Sequence, residues 1–500
     1  MAIVMKCPSC NEKLSIKDEY AGRKGKCPKC QKPIQVPAQA AAVGTAAGAG
    51  AAVAAGSPRG VRRATPKDSG ESIMAASSSH LFVKLPDAPA EIRESVLNAF
   101  HGTITPPKVS MLRKLGTLFV LGVLLIMPLF YIAAVGGLGF AIYWLATSTA
   151  VPSPWNWVAV AACAIVLLCL LKPLIDPRRR TVQAYPLSAD KQKLFADFVA
   201  KVCEQVNAPP PAQIQMECSA RLLAEYRRGL LGLLQRDVVL TVGLPLVAAL
   251  SVDQFAGVLA FQMAQFRRRG ACRATNCIRG INGWLWRSVY EDARFDAYLA
   301  RVASQPKFRI AKLLVPLRAT RFAAQAALFI PMFIGNTVAS SLVKLVEFDS
   351  DRATARLIGR DGFVASLMRL GVVEFTWQGV IAELNFLHRD QQLPDSLPQQ
   401  LALRMLDMTP ELCSVLRETV AKPEEKPFDA RPSDAERLEA AKTEPTEAVL
   451  TCNLPARALI EDYENTARQM TWDYYVSLFG PRLLKEAMVP VHLPEAAAAT

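Results

Sequence analysis

Two pairs of cysteines near the N-terminus have the spacing of a zinc site. Cys7 and Cys10 enclose two residues, Cys27 and Cys30 do the same, and 16 residues separate the two pairs. Two such turns present four thiolates to one ion, which completes a tetrahedron and leaves no position for water. The pattern therefore predicts a structural zinc in a zinc ribbon of residues 1–37, whose folding the metal supports. A thioredoxin-type redox pair is the alternative, but the motif is doubled and no βαβ pattern surrounds it.

A second stretch has the helical spacing of a zinc-protease motif without the residue types that do the chemistry. Residues 254–266 read QFAGVLAFQMAQF. In HExxH, two histidines on one helix face bind zinc, and the glutamate between them takes a proton from the zinc-bound water. The corresponding positions here are Phe261, Gln262 and Gln265. A phenyl ring has no donor atom, and a carboxamide is a poor zinc ligand and accepts no proton near neutral pH.

The surrounding sequence resembles the HtpX-like and CAAX-prenyl-type membrane zinc metallopeptidases from about residue 183 to 480, which is well over half of the chain. Four segments follow in the order of the family: an edge strand with a Gly-Leu-Pro turn at 238–260, FQMAQF at 261–266 in the place of HExxHF, an ExxxD-like helix at 347–352, and 431–437 in the place of a segment that begins with His-Pro. The resemblance implies a mainly α metallopeptidase-like domain with a small β edge region.

The resemblance also implies the role of each remaining position. Glu347 matches the third zinc ligand of the family, Asp351 matches a group that orients a ligand histidine, and Arg431 stands at a histidine position. One carboxylate does not hold a catalytic zinc, so no catalytic zinc is expected. With no histidine to orient, Asp351 is expected to pair with Arg352 or a neighbouring arginine.

The hydrophobic residues of the chain are concentrated in one region. Mean hydropathy is +0.18, and no charged residue occurs from Leu115 to Leu171. This run predicts two membrane helices, about 115–147 and 156–175, in a transmembrane hairpin at 111–177, although a buried apolar hairpin is the alternative. Basic residues flank both ends, so both tails are expected to be cytoplasmic, in an inner or cytoplasmic membrane. The net charge of +14 suits an anionic bilayer, and no aromatic-interleaved basic motif indicates nucleic acid.

Composition predicts the other boundaries. Residues 38–80 are rich in Ala, Gly and Ser, which predicts a flexible linker. A juxtamembrane segment at 81–110 follows, and the metallopeptidase-like domain is expected at 183–485. Within it, the uncharged segment 322–343 has the length of a membrane span, but its polar residues fit a core helix or a membrane-dipping segment equally well.

Three functions compete on this sequence. The first is a membrane-anchored, catalytically inactive pseudopeptidase, which binds a polypeptide or a membrane-protein partner without cutting it. The second is an active zinc metalloendopeptidase with displaced ligands, such as Glu347, His388 and a cysteine. The third makes the zinc ribbon the functional part, as an adaptor tethered to the bilayer. The first is preferred, because the packing residues of the motif remain around ligands that are absent.

Overall fold

The computed structural model of this chain is mainly helical, with small sheets, and divides into two compact units, Met1–Pro66 and Lys67–Thr500. It describes residues 2–6, 13–17, 24–26, 33–35, 89–104, 111–147, 154–175, 184–187, 192–227, 237–267, 272–273, 275–277, 279–280, 311–421, 431–480, 483 and 488–491.

The first unit contains two antiparallel strand pairs: β1 (Ala2–Lys6) with β2 (Lys13–Lys17), and β3 (Lys24–Lys26) with β4 (Pro33–Gln35). The predicted zinc ligands lie outside the described residues: Cys7, Cys10, Cys27 and Cys30. In sequence, each CxxC motif falls between the two strands of one pair. The backbone on either side of each motif therefore runs as a hairpin.

The second unit holds the remaining elements. Its helices are α1 (Pro89–Asn98), α2 (Met111–Thr147), α3 (Pro154–Ile175), α4 (Lys193–Gln205), α5 (Leu244–Ala249), α6 (Val252–Ala264), α7 (Ala311–Arg389), α8 (Leu397–Leu406), α9 (Pro410–Ala421), α10 (Asp434–Ala441) and α11 (Tyr463–Phe479). Its strands are β5 (Tyr185–Pro186), β6 (Gln213–Glu217), β7 (Leu222–Tyr226), β8 (Val238–Gly243), β9 (Leu393–Pro394) and β10 (Met488–Val489).

The main sheet has the strand order β5-β6-β8-β7, in which only β6 and β8 are parallel. The expectation of an edge strand at the start of 238–260 is wrong. Strand β8 lies inside the sheet, between β6 and β7, and all six of its residues are buried. Its sequence VVLTVG is a nearly unbroken apolar run, which is typical of a strand covered on both faces. The edge next to β8 is β7 instead.

The main core lies between the sheet and helices α4, α6 and α7. Phe195 and Phe198 of α4 pack on Phe255 of α6, with ring centroids 5.9 and 6.3 Å apart. Helix α1 belongs to the same core, because its Val96 is fully buried there. Residues 89–104, which the sequence assigns to a juxtamembrane segment, are therefore packed on the domain.

Helix α7 changes direction at Gly359, where φ is 75° and ψ is 159°. The backbone groups freed by this break are paired with one neighbouring segment. Arg360 N donates to Pro445 O at 3.0 Å, and Leu357 O accepts from Val449 N and Leu450 N. The segment that crosses the break therefore supplies the hydrogen bonds that the helix loses there.

Replacing Gly359 by alanine is expected to destabilise the protein. The positive φ is strained for an L-residue by about 1–3 kcal/mol, and the new Cβ would lie 2.6 Å from Thr446 O, a backbone atom. Thermal unfolding of the purified protein should show a lower midpoint for Gly359→Ala. The matched control is Gly379→Ala on the same helix, where nothing lies within 4 Å of the new Cβ and alanine has the better helix propensity. An equal midpoint for the two variants would contradict this account of the break.

Helices α2 and α3 pack on one another, and α7 packs on both. Much of their surface is apolar and exposed, with large side chains such as Phe119, Phe140 and Trp157 more than half accessible. Within α2, the stretch Leu129–Thr147 is long and apolar enough to cross a membrane. The two predicted helices of the hairpin are thus present, with an apolar face that the described part of the chain does not cover.

Candidate functional site

Helices α6 and α7 bring together the residues that the sequence singles out. Gln265 caps the C-terminal end of α6, while Glu347 and Asp351 lie one turn apart on α7. All three side chains are buried, and Phe261 on α6 is half-buried. The two helices pack closely, since a Cβ on Gly257 of α6 would meet the side chain of Ile358 of α7 at 2.6 Å.

A guanidinium joins the two helices where the resemblance would have a metal. Arg279 Nη1 donates to Gln265 Oε1, and Arg279 Nη2 donates to Glu347 Oε1 at 2.6 Å. Gln265 stands at the second histidine position and Glu347 at the third ligand position of the resemblance. One arginine therefore bonds to both groups that would otherwise share an ion.

A second guanidinium, that of Arg437, binds one turn further along α7. Arg437 of α10 binds Asp351 with two hydrogen bonds, Nη2 to Oδ1 at 2.7 Å and Nε to Oδ2 at 3.0 Å. Its third nitrogen donates to Asp434 at 3.1 Å. The same guanidinium lies over the ring of Phe261, 4.8 Å from the ring centroid. Phe261 therefore faces a cation, in a cation–π contact.

We call Gln265, Arg279, Glu347, Asp351 and Arg437 the arginine cluster. Burial raises the pKa of Glu347, and the charges of Arg279, Arg431 and Arg437 oppose that increase. Burial also raises the pKa of Asp351, against the hydrogen bond and charge of Arg437. Burial lowers the pKa of Arg279, which the charge of Glu347 opposes. Each buried charge is thus stabilised by an opposite charge in direct contact.

Arg431, at the histidine position of the resemblance, lies at the rim of the cluster. Its Nε is 3.8 Å from Glu347 Oε1, too long for a hydrogen bond, and 72% of its side chain is exposed. The expectation that Asp351 pairs with a neighbouring arginine is confirmed by Arg437. Arg352 is not that partner, since it pairs with Asp349 and Glu444.

Gln262, which stands at the position of the catalytic glutamate, is half-buried on α6. Its carboxamide has nearly the shape of a glutamate side chain but accepts no proton near neutral pH. The structure therefore places two carboxamides, two buried carboxylates and two guanidiniums around this stretch of α6. Such a set of groups can hold charges in fixed positions.

The displaced ligand His388 does not join this cluster. It lies near the C-terminal end of α7, beyond the break at Gly359, and stacks on Phe479 of α11 with ring centroids 4.0 Å apart. Across the part of the chain that the structure describes, no three His, Cys, Asp or Glu side chains are grouped so as to hold a metal ion. The set of Glu347, His388 and a cysteine is therefore not assembled by the described residues.

Arg279 is the residue of the candidate site that sequence reasoning missed. It lies in the stretch GACRATNCIRG at 270–280, and its two partners are 14 and 68 residues away in sequence. No local pattern marks it, because both partners are distant in sequence. Arg437 was visible as the last residue of the segment 431–437, but its partner was not.

Comparison of the chain with protein-family models, with curated proteins and with solved structures found no match in any of the three. The resemblance to the membrane metallopeptidases therefore stays a prediction from the residues at 238–266, 347–352 and 431–437.

Proposed function

We propose that this protein is a membrane-anchored pseudopeptidase, a metallopeptidase-like domain that binds polypeptide without cutting it. The observation that carries the proposal is the bond of Arg279 to both Gln265 and Glu347. A cation fixed between these groups excludes a metal ion by charge and by occupancy. At about 4 Å, two unit charges repel by roughly 4 kcal/mol at an effective dielectric constant near 20, and a divalent ion would double that.

The pseudopeptidase would bind its polypeptide at the edge of the main sheet. Within the described residues, strand β7 pairs with β8 alone. Gly243 N donates to Arg221 O, and Arg227 N donates to Asp237 O. Hydrogen-bonded residues alternate along an antiparallel pair with residues whose backbone groups point outward, so the backbone groups of Leu222 and Ala224 point away from β8. An extended polypeptide could add to this edge by backbone hydrogen bonds.

The edge lies beside the helix that carries the degenerate motif. Tyr226, the last residue of β7, contacts Phe266 just beyond α6, with ring centroids 5.1 Å apart. A polypeptide paired with β7 would therefore run past the end of α6, near the arginine cluster. This neighbourhood supports a polypeptide as the occupant of the edge, in preference to a small ligand.

The anchor would be the hairpin of α2 and α3, inserted in an inner or cytoplasmic membrane with both tails cytoplasmic. The exposed apolar side chains of α2, and the length and composition of Leu129–Thr147, support the insertion. The orientation rests on the basic residues that flank residues 111–177. Insertion would bury these exposed apolar side chains in lipid and remove them from water.

The N-terminal ribbon would hold one structural zinc through Cys7, Cys10, Cys27 and Cys30. The strand pairs β1–β2 and β3–β4, with one CxxC between the strands of each, support this assignment, because a hairpin turn can bring both thiolates of its motif to one ion. The division of the chain near Pro66 also favours a second role, in which the ribbon acts as an adaptor with its own partner.

Zinc content and cleavage test the proposal together. The purified full chain should contain one zinc, and the chain without residues 1–66 should contain none, since that unit is separate. Neither should cleave an unfolded polypeptide such as casein, with or without a chelator, although both should retain it. A second zinc, together with cleavage that a chelator abolishes, would overturn the pseudopeptidase and favour an active metalloendopeptidase.

A further inference from the structure

We propose that the N-terminal ribbon binds the surface of an anionic phospholipid bilayer through the lysines of its strands. The lipid surface would be the partner of the ribbon in its adaptor role, and the inference rests on the proposed membrane anchor. Five lysines and no acidic residue occur in strands β1, β2, β3 and β4. The described strands of the ribbon therefore carry positive charge only.

The register of β1 with β2 places the lysines of this pair on one face. Lys6 lies directly opposite Lys13, and Ala2 lies directly opposite Lys17. Because successive residues of a strand alternate between its two faces, these four positions share one face. The positions of the other face that lie between them are all apolar: Ile3, Met5, Leu14 and Ile16. The first strand pair is therefore amphipathic, with every lysine on the same side.

The pair of β3 and β4 has the same division. Lys24 and Lys26 are two residues apart and share one face, opposite Gln35 and Pro33 respectively. The apolar residue Ile34 falls on the other face. We call the two sets of lysine positions the lysine faces: Lys6, Lys13 and Lys17 in the first pair, and Lys24 and Lys26 in the second.

An external anion explains the lysine faces better than the stability of the ribbon does. Like charges directly opposite each other in an antiparallel pair repel, so Lys6 and Lys13 disfavour the pairing in which they are found. An anionic lipid surface removes this repulsion, and each lysine near such a surface raises the affinity by about fivefold. The register therefore concentrates charge where a polyanion, and not the fold, benefits from it.

A bilayer suits the lysine faces better than a nucleic acid does. Tyr20 is the sole aromatic residue in the sequence 1–67, whereas proteins that bind single-stranded nucleic acid stack several bases on aromatic side chains. From residue 38 to residue 67 the sequence adds four basic residues and no acidic one. The same chain continues into the proposed anchor, so the bilayer is the polyanion at the highest local concentration.

Capture of vesicles tests the proposal with the full chain. The chain is placed in nanodiscs of phosphatidylcholine, and the added vesicles are either pure phosphatidylcholine or an equimolar mixture with phosphatidylglycerol. Only the mixed vesicles should be captured, and high salt should release them, because salt screens the attraction between exposed charges. Lys6→Gln/Lys13→Gln should weaken the capture on the order of 25-fold, which is fivefold for each lysine.

The second strand pair and the domain supply the other variants. Lys24→Gln/Lys26→Gln should weaken the capture by a similar factor, so the result does not depend on the folding of one hairpin. The matched control, Lys193→Gln/Lys442→Gln, removes the same charge from two exposed positions of the domain and should leave the capture unchanged. Each variant should keep the zinc content of the parent chain, since no lysine is among the four proposed ligands.

The outcomes separate this proposal from the anchor. Failure to capture mixed vesicles, or equal capture by the parent chain and both ribbon variants, would overturn the lysine faces and leave the anchor standing. A preference for duplex DNA over mixed vesicles at equal phosphate concentration would overturn the bilayer in favour of nucleic acid. A chain that does not enter the nanodiscs would overturn the anchor, and this proposal with it.

Discussion

The variant Phe261→His/Gln262→Glu/Gln265→His is expected to gain no zinc, whereas the same variant with Arg279→Ala should bind one zinc more per chain. The triple change supplies two imidazoles on one face of α6, and Glu347 completes three ligands. In the triple variant, however, Arg279 is expected to keep its bond to Glu347, which is 2.6 Å long in the unsubstituted protein, and so to hold a positive charge beside the two imidazoles. Removing that guanidinium frees the carboxylate. The measurement is the zinc content per chain after loosely bound metal has been removed.

Two control variants make this result specific. Arg404→Ala, in the place of Arg279→Ala, removes an arginine of an exposed pair with Glu383 and should leave the triple variant without added zinc. Glu347→Ala, added to the quadruple variant, should abolish the gain, since two imidazoles alone bind zinc weakly. Full zinc loading of the triple variant with Arg279 intact would show that the guanidinium does not occupy the metal position.

Much of the helical architecture could be predicted from local sequence. The uncharged run of Leu115 to Leu171 predicts two apolar helices, and the structure has α2 and α3 at nearly those bounds. The one-turn spacing of Glu347 and Asp351 predicts that they face one way, and both are buried at the arginine cluster. These features depend on residues close in sequence, where helical periodicity alone determines the geometry.

The features that sequence reasoning missed depend on distant partners. Strand β8 is interior because β7, which precedes it in the chain, folds back along its outer side, and no pattern within VVLTVG indicates that neighbour. Val96 of α1 joins the core across about a hundred residues of sequence, as the ion pair of Arg93 with Asp197 also shows. Arg279 contacts both Gln265 and Glu347 where α6 packs against α7, and neither partner is near it in sequence. The composition of the site was therefore visible, whereas the cation that bridges it was not.

Replacing Arg279 by methionine is expected to destabilise the protein by about 3–5 kcal/mol, because Glu347 would stay buried without its closest cation. The matched control is Arg404→Met. Its pair with Glu383 has a similar distance, 2.7 Å against 2.6 Å, but both side chains are nearly half exposed. Exposed pairs contribute about 0–1 kcal/mol, so the control should unfold close to the unsubstituted protein. Chemical denaturation of both variants under the same conditions measures the difference in the free energy of unfolding. Equal losses would show that burial does not govern the contribution of the pair.

Adding Glu347→Leu to Arg279→Met should recover most of that loss. Two apolar side chains can replace a buried ion pair at little net cost, since the desolvation of both charges is then avoided. Recovery would mean that the pair is not required for folding, and that its contribution is to hold Gln265 of α6 and Glu347 of α7 in one charge-balanced arrangement. Persistent instability of the double variant would instead make the ion pair a structural requirement of the α6–α7 crossing. In that case the cation would be explained by stability alone, without reference to a metal position.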